Sequence, residues 1–139
     1  DLLADIKKLF NNPKITYNYI IEDKEQLLFI DRSQIEQVLI NLLKNAEEAC
    51  IERTNPVIEI ATRYQQEKKL FSISITDNGH GILPEVQDKI FVPFFTTKQR
   101  GSGIGLSLCK QIMTLHGGSI SVKSEEGVGS TFTLKFFCK

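Results

Sequence analysis

The sequence has no excess of charge of either sign: 17 Lys and Arg residues balance 17 Asp and Glu residues. Nucleic-acid-binding domains normally carry a basic excess, so this balance argues against such a surface. Long apolar runs are also lacking, because none reaches the roughly 18 residues of a membrane span. The first segment carries acids, has no cleavage pattern and therefore does not resemble a signal peptide. Since it lacks an initiator Met, we expect a fragment of a longer protein.

Cysteine is scarce, and its three positions, Cys50, Cys109 and Cys138, lie far apart. An odd number at these spacings predicts neither a disulfide framework nor a paired metal site. We interpret the thiols as small packing residues and expect a reducing, cytoplasmic compartment.

What the chain does have is clear periodicity, over a length of 139 residues that fits one domain. The strongest helical pattern runs from Arg32 to Cys50, with one apolar stripe and a cap at Asp31 or Ser33. Further helices are predicted over residues 1–10, 84–90 and 103–116.

Alternating apolar residues predict strands in the segments ITYNYI, LLFI, VIEIATRY, LFSISIT, SISVKS and STFTLKFF. Polar turns join the last four into two hairpins. Because helices and hairpins are grouped rather than strictly alternating, we predict an α+β fold. It would be a two-layer α/β sandwich, with a mixed, mostly antiparallel sheet packed on one face against three main helices.

Asn41 and Asn45 lie four residues apart on the long helix and therefore share one of its faces. Asn45 falls at the border of the apolar stripe, where an amide needs a hydrogen-bond partner. Its oxygen could ligate a hard cation such as Mg²⁺. The alternative is two amides that are solvated or satisfied within their own helix.

The segment DNGHGI follows a predicted strand directly and begins with Asp77. A carboxylate at the end of a buried strand needs a donor, and an adenine amino group is a suitable one. Gly79 and Gly81 would let the backbone approach a ligand closely. The alternative is a plain turn, since Asp-Asn-Gly is common in turns.

A second glycine-rich segment, residues 101–106, comes immediately before the last helix. Backbone N–H groups exposed by glycines can surround phosphates, and the helix dipole adds to the attraction. A loop rather than a strand precedes this segment and no Gly-Lys-Ser/Thr follows, so it matches neither the Rossmann nor the Walker motif. Just upstream, aromatic residues lead into Lys98 and Arg100, which could neutralise phosphate charge. The alternative there is a hydrophobic anchor below a loop with solvated tips.

The segments QVLINLLKNAEEA, DNGHGI, FVPFFTTK and GSGIGLSL occur in an order and spacing that resembles the catalytic ATP-binding domain of two-component sensor histidine kinases. They are similar to that family's asparagine box, first glycine box, phenylalanine box and second glycine box. The resemblance covers about residues 31–137. It implies the Bergerat-type ATP-binding fold shared with type II DNA topoisomerases, mismatch-repair ATPases and a heat-shock chaperone.

The resemblance implies roles for the matching residues. Asn41, Asn45 and Lys98 would be catalytic, with Asn45 ligating Mg²⁺ between the phosphates. Asp77 would accept a hydrogen bond from the adenine amino group, and residues 92–102 would form an ATP lid. The other nucleotide contacts would come from Gly79, Gly81, Ile82, Gly101, Ser102, Gly103, Ile104, Gly105, Leu106 and Thr131, the last of these near the adenine.

One residue separates the branches of this superfamily. The hydrolytic relatives carry a Glu as general base for water where this chain has Asn41, and a neutral amide cannot accept a proton. Asn41 therefore favours transfer of the γ-phosphoryl group to another acceptor. The chain departs from many family members at Glu48, where they carry a basic residue. Neutralisation of the phosphate charge would therefore depend on Lys98 or Arg100.

The family's phosphoacceptor histidine lies on a separate helical dimerisation domain, and neither His80 nor His116 has an acceptor-like setting. We expect residues 1–12 to end a linker helix from that missing domain and 13–139 to form the catalytic domain. The predicted function is transfer of phosphoryl from ATP, with Mg²⁺, to a histidine of the acceptor domain in two-component signalling. A response regulator would act downstream, while this fragment would contact neither nucleic acid nor membrane.

Two other functions remain open at the level of the sequence. One is an ATP-hydrolysing gating domain of the same superfamily, and the other is a nucleotide-binding scaffold without catalysis. A serine-directed kinase of this fold is a third and weaker alternative. The parent protein could be cytoplasmic throughout or anchored in the inner membrane.

Overall fold

A computed structural model describes residues 2–22, 30–93 and 105–138 of the chain. The helices are α1 (Leu2–Leu9), α2 (Arg32–Cys50), α3 (Pro84–Gln87) and α4 (Gly105–Leu115). The strands are β1 (Thr16–Ile20), β2 (Val57–Gln65), β3 (Leu70–Asp77), β4 (Ser119–Glu125) and β5 (Gly129–Phe137). No helix in these described ranges is long and apolar enough to cross a membrane.

The five strands form one mixed sheet in the order β1-β2-β3-β5-β4. β1 runs parallel to β2, and the other three pairings are antiparallel. This confirms the predicted α+β sandwich with a mostly antiparallel sheet. The predicted LLFI strand lies outside the described residues except for its last residue, Ile30.

Helix α2 forms where its cap and apolar stripe predict it. Asp31 is the N-cap, because its Oδ1 atom accepts a hydrogen bond of 3.2 Å from the backbone N–H of Gln34. A stripe at helical spacing is buried against the sheet, comprising Ile35, Val38, Leu39, Leu42, Leu43, Ala46 and Cys50. The helix therefore presents one face to the core and leaves its polar flank, with Asn41 and Asn45, at the edge of that core.

The two faces of the sheet differ in chemistry because side chains alternate along each strand. The face toward the helices carries the buried residues Ile58, Ile60, Thr62, Ile73, Ile75, Asp77, Ser130, Phe132, Leu134 and Phe136. The other face is mainly polar, and one row runs in register across all five strands, comprising Asn18, Glu59, Thr76, Thr131 and Lys123. Asp77 is thus an acid on the core face, at the end of an otherwise apolar strand.

The end of helix α3 differs from the sequence prediction. Helix α3 ends at Gln87 rather than Ile90, and the chain continues as turns to Phe91. Ile90 is buried and Phe91 packs edge-on against Phe132 at 6.4 Å, so packing rather than helix propensity fixes this segment. Helix α4 spans Gly105–Leu115, and the first two residues of the predicted helix, 103 and 104, lie outside the described residues.

Candidate functional site

Asp77 is the last residue of β3 and only 5% of its side chain area is exposed. Its Oδ1 atom accepts a hydrogen bond of 2.8 Å from the backbone N–H of Gly79. Burial raises the pKa of Asp77 above its ordinary value, while backbone hydrogen bonds from Gly79 and Ser130 and the nearby charge of His80 oppose the rise. The residue is therefore a buried carboxyl that an amide of its own loop holds in place.

The loop after Asp77 is wedged between two backbone segments. A Cβ atom at Gly79 would lie 2.4 Å from the carbonyl oxygen of Ala49, at the end of α2. A Cβ atom at Gly81 would lie 2.2 Å from the carbonyl oxygen of Glu125, and Gly81 has a φ of +77°. Only glycine fits at both positions, so this turn is held by close packing as well as by hydrogen bonds.

Asn78 has a structural role in the same turn. Its Oδ1 atom accepts from the backbone N–H of Val57 at 2.9 Å, and its Nδ2 atom donates to the carbonyl oxygen of Asn55 at 2.7 Å. The side chain thereby ties the end of β3 to the start of β2. Sequence reasoning assigned no function to this residue.

Ile82 and Ser130 are connected through Ser124 on β4. The backbone N–H of Ile82 donates to Ser124 Oγ at 2.7 Å, and the hydroxyls of Ser124 and Ser130 lie 2.7 Å apart. Ser130 is buried and pairs with Asp77 across β3 and β5. Ser124 and Ser130 therefore connect the loop after Asp77 to the β4–β5 hairpin.

Thr131, predicted to lie near the adenine, is on the opposite face of the sheet from Asp77. Thr131 pairs with Thr76, and their hydroxyl oxygens lie 3.0 Å apart. A hollow of about 590 Å³ lies over this outer row, and its lining includes Asp77 and Ser130 as well as Thr131. Ser130, one residue earlier, is the residue beside Asp77. The alternation of buried residues along β5 was the signal that could have identified it.

The other end of the candidate site brings α2 and α4 together. Asn41 and Asn45 are both half-buried on α2, and a Cβ atom at Gly105 would lie 3.9 Å from Asn41 Oδ1. The buried Cys109 on α4 donates through its Sγ atom to the carbonyl oxygen of Val38 on α2 at 3.9 Å. Burial raises the pKa of Cys109 to about 11, although interaction with the Asn41 side chain opposes the rise. The first turn of α4 therefore lies against the polar flank of α2.

The remaining predicted residues divide into two groups. Leu106, in the first turn of α4, is half-buried and packs against the core. Lys98, Gly101, Ser102, Gly103 and Ile104 lie outside the described residues, as does most of the predicted lid.

The donor chemistry of the described residues bears on the predicted metal. Within the described ranges, no group of three or more His, Cys, Asp or Glu side chains could hold a metal ion. Mg²⁺ usually binds to one or two protein oxygens, substrate phosphates and waters rather than to an all-protein cage. The amide oxygen of Asn45 is therefore a suitable protein ligand for an Mg²⁺ ion that binds together with the phosphates of a nucleotide.

Both histidines form hydrogen bonds within the fold. His116 Nε2 accepts a hydrogen bond of 3.0 Å from the backbone N–H of Asp31, and its Nδ1 lies 2.8 Å from the carbonyl oxygen of Ile112. His116 therefore connects the end of α4 to the cap of α2. His80 has its Nδ1 2.8 Å from the carbonyl oxygen of Gly81, within the glycine turn.

Comparison with known proteins shows the family to which the chain belongs. Residues 30–138 match the family model described as histidine kinase-, DNA gyrase B- and HSP90-like ATPase. The chain belongs to this family and, within it, to the catalytic domains of histidine kinases. The catalytic domain of histidine kinase ThkA is 33% identical, with a TM-score of 0.77 over 97% of this chain and 85% of that one.

Two further matches are to chains much longer than this one. Sensor histidine kinase ZraS of Escherichia coli strain K12 is 39% identical over 124 residues, which are 89% of this chain and 26% of ZraS. The chain thus spans about a quarter of the length of that relative. ThkA solved in complex with response regulator protein TrrA is 31% identical, with a TM-score of 0.74, covering 99% of this chain and 37% of that one.

Proposed function

We propose that this domain binds ATP with Mg²⁺ and transfers the γ-phosphoryl group to a histidine on a separate helical dimerisation domain of its parent protein. A response regulator would then receive the phosphoryl group, as the ThkA–TrrA complex suggests by analogy. The cytoplasm, with its reducing conditions, is the compartment that suits the three free cysteines.

One observation carries the proposal: α2 touches both halves of the candidate site, two turns apart. Its Ala49 end contacts Gly79 beside Asp77, and its Asn41 faces Gly105 at the start of α4, where an added Cβ atom would lie 3.9 Å from Asn41 Oδ1. Eight residues of helix separate these contacts by about 12 Å at 1.5 Å per residue. A nucleotide lying along this flank would have its base at Asp77 and its phosphates at the N-terminus of α4.

Each residue then has a definite task. The Asp77 carboxylate accepts a hydrogen bond from the adenine amino group, which offsets the cost of burying a charge. The N-terminus of α4 directs backbone N–H groups at the phosphates, and Lys98 adds a positive charge. Asn45 supplies an amide oxygen for Mg²⁺, which neutralises developing charge on the phosphates when bound.

The transfer itself requires little chemistry from the protein. The incoming histidine nitrogen forms a bond to the γ-phosphorus as the bond to the β-phosphate oxygen breaks, and ADP leaves. Catalysis is therefore mainly positioning and charge neutralisation. Asn41 has no basic atom with which to activate water, so we expect slow hydrolysis of ATP.

The test uses radiolabelled ATP and Mg²⁺. The domain alone should bind ATP yet neither label itself nor release phosphate at an appreciable rate. Addition of the acceptor domain as a separate chain should yield label on that domain, though weakly because the tether is gone. An acceptor variant with its histidine changed to Gln is the matched control and should stay unlabelled.

The other outcomes distinguish the rival functions. Rapid phosphate release by the domain alone would favour the hydrolytic ATPase. No nucleotide binding at all would favour a scaffold. Stable label on His80 or His116 would show that the acceptor lies in this chain.

A further inference from the structure

Arg53 follows the end of α2 and reaches two separate loops with one nitrogen atom. Its Nη2 donates to the carbonyl oxygen of Gly79 at 2.9 Å and to the carbonyl oxygen of Gly127 at 2.6 Å. Gly79 lies in the loop after β3, and Gly127 lies in the turn between β4 and β5. A single guanidinium group therefore bridges the glycine turn after β3 and the turn between β4 and β5.

The peptide groups around this bridge are also paired. The backbone N–H of Gly79 donates to Asp77 Oδ1 at 2.8 Å, and the backbone N–H of His80 donates to the carbonyl oxygen of Ala49 at 3.3 Å. The carbonyl oxygen of His80 in turn accepts from the N–H of Gly127 at 2.8 Å. Arg53 binds the carbonyl group of the residue whose N–H holds the Asp77 carboxylate.

We propose that Arg53 is a positioning residue for the adenine end of the site. It fixes the carbonyl group of Gly79, the residue whose N–H holds Asp77, and it holds the Gly127 turn against the same loop. This inference rests on the proposed function, because it takes the Asp77 carboxylate as the acceptor for the adenine amino group.

The chemistry of arginine suits this task better than that of lysine. The Nη2 atom carries two N–H bonds in a fixed plane, one for each carbonyl oxygen. A lysine ammonium is a compact charge on a flexible stem, without the fixed fork that meets two acceptors at once. Arg53→Lys should therefore keep the positive charge and lose part of the positioning.

The experiment measures binding of adenosine and of ATP with Mg²⁺ by calorimetry. Arg53→Met keeps an aliphatic stem and removes every donor, and Arg63→Met, at an exposed position on β2, is the matched control. We expect Arg53→Met to lower the affinity for both ligands about tenfold, the effect of losing one charge-assisted hydrogen bond. The affinities of Arg53→Lys should lie between those of Arg53→Met and the unchanged protein, and those of Arg63→Met should match the unchanged protein.

Two further readouts separate positioning from a purely structural role. The transfer rate at saturating ATP should stay unchanged in Arg53→Met while KM rises, because the phosphate end is untouched. Hydrogen exchange at the Gly79 amide should accelerate without nucleotide. If Arg53→Met does not fold, Arg53→Lys supplies both measurements.

Unchanged adenosine affinity in a folded variant would overturn the proposal, even if its melting temperature fell. Loss of ATP affinity with adenosine unaffected would also overturn it, since Arg53 would then act on the phosphates. Failure of the unchanged protein to bind either ligand would overturn the proposed function and this inference together.

Discussion

The backbone N–H of Gly79 donates a hydrogen bond of 2.8 Å to Asp77 Oδ1, so the buried acid and the glycine turn form one closed unit. An ionised carboxylate has about four acceptor positions, and this bond occupies one of them. A buried carboxylate with acceptor capacity to spare gains most from a ligand that brings a donor. In the proposed complex, the adenine amino group is that donor.

Removal of the Asp77 carboxylate should impair nucleotide binding without unfolding the domain. We expect Asp77→Ala to lower ATP affinity by roughly one to two decades, because a hydrogen bond to a charged group contributes about 1.5–3 kcal/mol. Calorimetry with ATP and Mg²⁺ measures the change, and circular dichroism verifies the fold.

Glu59→Ala is the control for that experiment. Glu59 lies on the neighbouring strand β2 but on the outer face of the sheet, in the row with Thr76. Its removal should leave ATP affinity unchanged. Equal affinities for the folded Asp77→Ala protein and the unchanged protein would rule out Asp77 as the adenine acceptor.

Asp77 should also make stability depend on pH, because burial raises its pKa in the folded state. Protonation of Asp77 stabilises the folded state relative to the unfolded one. This stabilisation is fully present below the ordinary pKa of Asp and is lost as pH rises through the raised pKa of the folded protein. At neutral pH the charged, unliganded Asp77 therefore lowers the free energy of unfolding. Asp77→Asn should be more stable than the unchanged protein at neutral pH, and the difference should shrink on acidification.

Urea unfolding of both proteins at several pH values, without nucleotide, measures this difference. Asp77→Asn keeps an oxygen for the Gly79 N–H, so the comparison isolates the charge. A difference that is independent of pH, or an Asp77→Asn protein that is less stable at neutral pH, would contradict the expectation.

Local signals in the sequence predicted the architecture well. The stripe on α2 and the alternation in the strands are set by burial within each element, so they can be identified without knowing the fold. The end of α3 was wrong by three residues, because contacts of Ile90 and Phe91 with distant residues decide the conformation there. Tertiary packing of that kind has no local signature.

The site residues named from the sequence stay predictions, but the structure shows which face of the fold each described one occupies. Asp77 stands out as an acid after an apolar strand, whereas the face of β5 on which Thr131 lies follows from the strand register. The contact of Gly81 with Glu125 and the bridge formed by Arg53 join segments more than 20 residues apart in the chain. Such pairings depend on topology, which composition and periodicity do not specify.

Asn41 should be the residue that keeps ATP hydrolysis slow. We expect Asn41→Glu to raise phosphate release at least tenfold, because a carboxylate beside the first turn of α4 could act as a base toward water. General-base catalysis typically contributes about 10²–10⁴-fold. Transfer to the acceptor domain should not rise in parallel.

Asn41→Gln is the matched control, since it has the length of Glu and a neutral amide. It should release phosphate no faster than the unchanged protein. Equal rates in Asn41→Glu and Asn41→Gln would show that this position does not determine the choice between hydrolysis and transfer.

The three cysteines should differ sharply in reactivity toward iodoacetamide. Cys50 and Cys109 are fully buried, and burial raises the pKa of each to about 11, whereas Cys138 is half-exposed near the end of the chain. At pH 7 a thiol with that pKa is roughly one part in ten thousand thiolate, the reactive form. Mass spectrometry of the native protein should therefore find one adduct, at Cys138, and three adducts after denaturation.

Cys138→Ser is the control, and it should leave the native protein unlabelled. Because Cys109 donates to the carbonyl oxygen of Val38 on α2, rapid labelling of Cys109 in the native state would show that α2 and α4 separate readily. That result would contradict the proposed phosphate site, which needs a fixed contact between these helices.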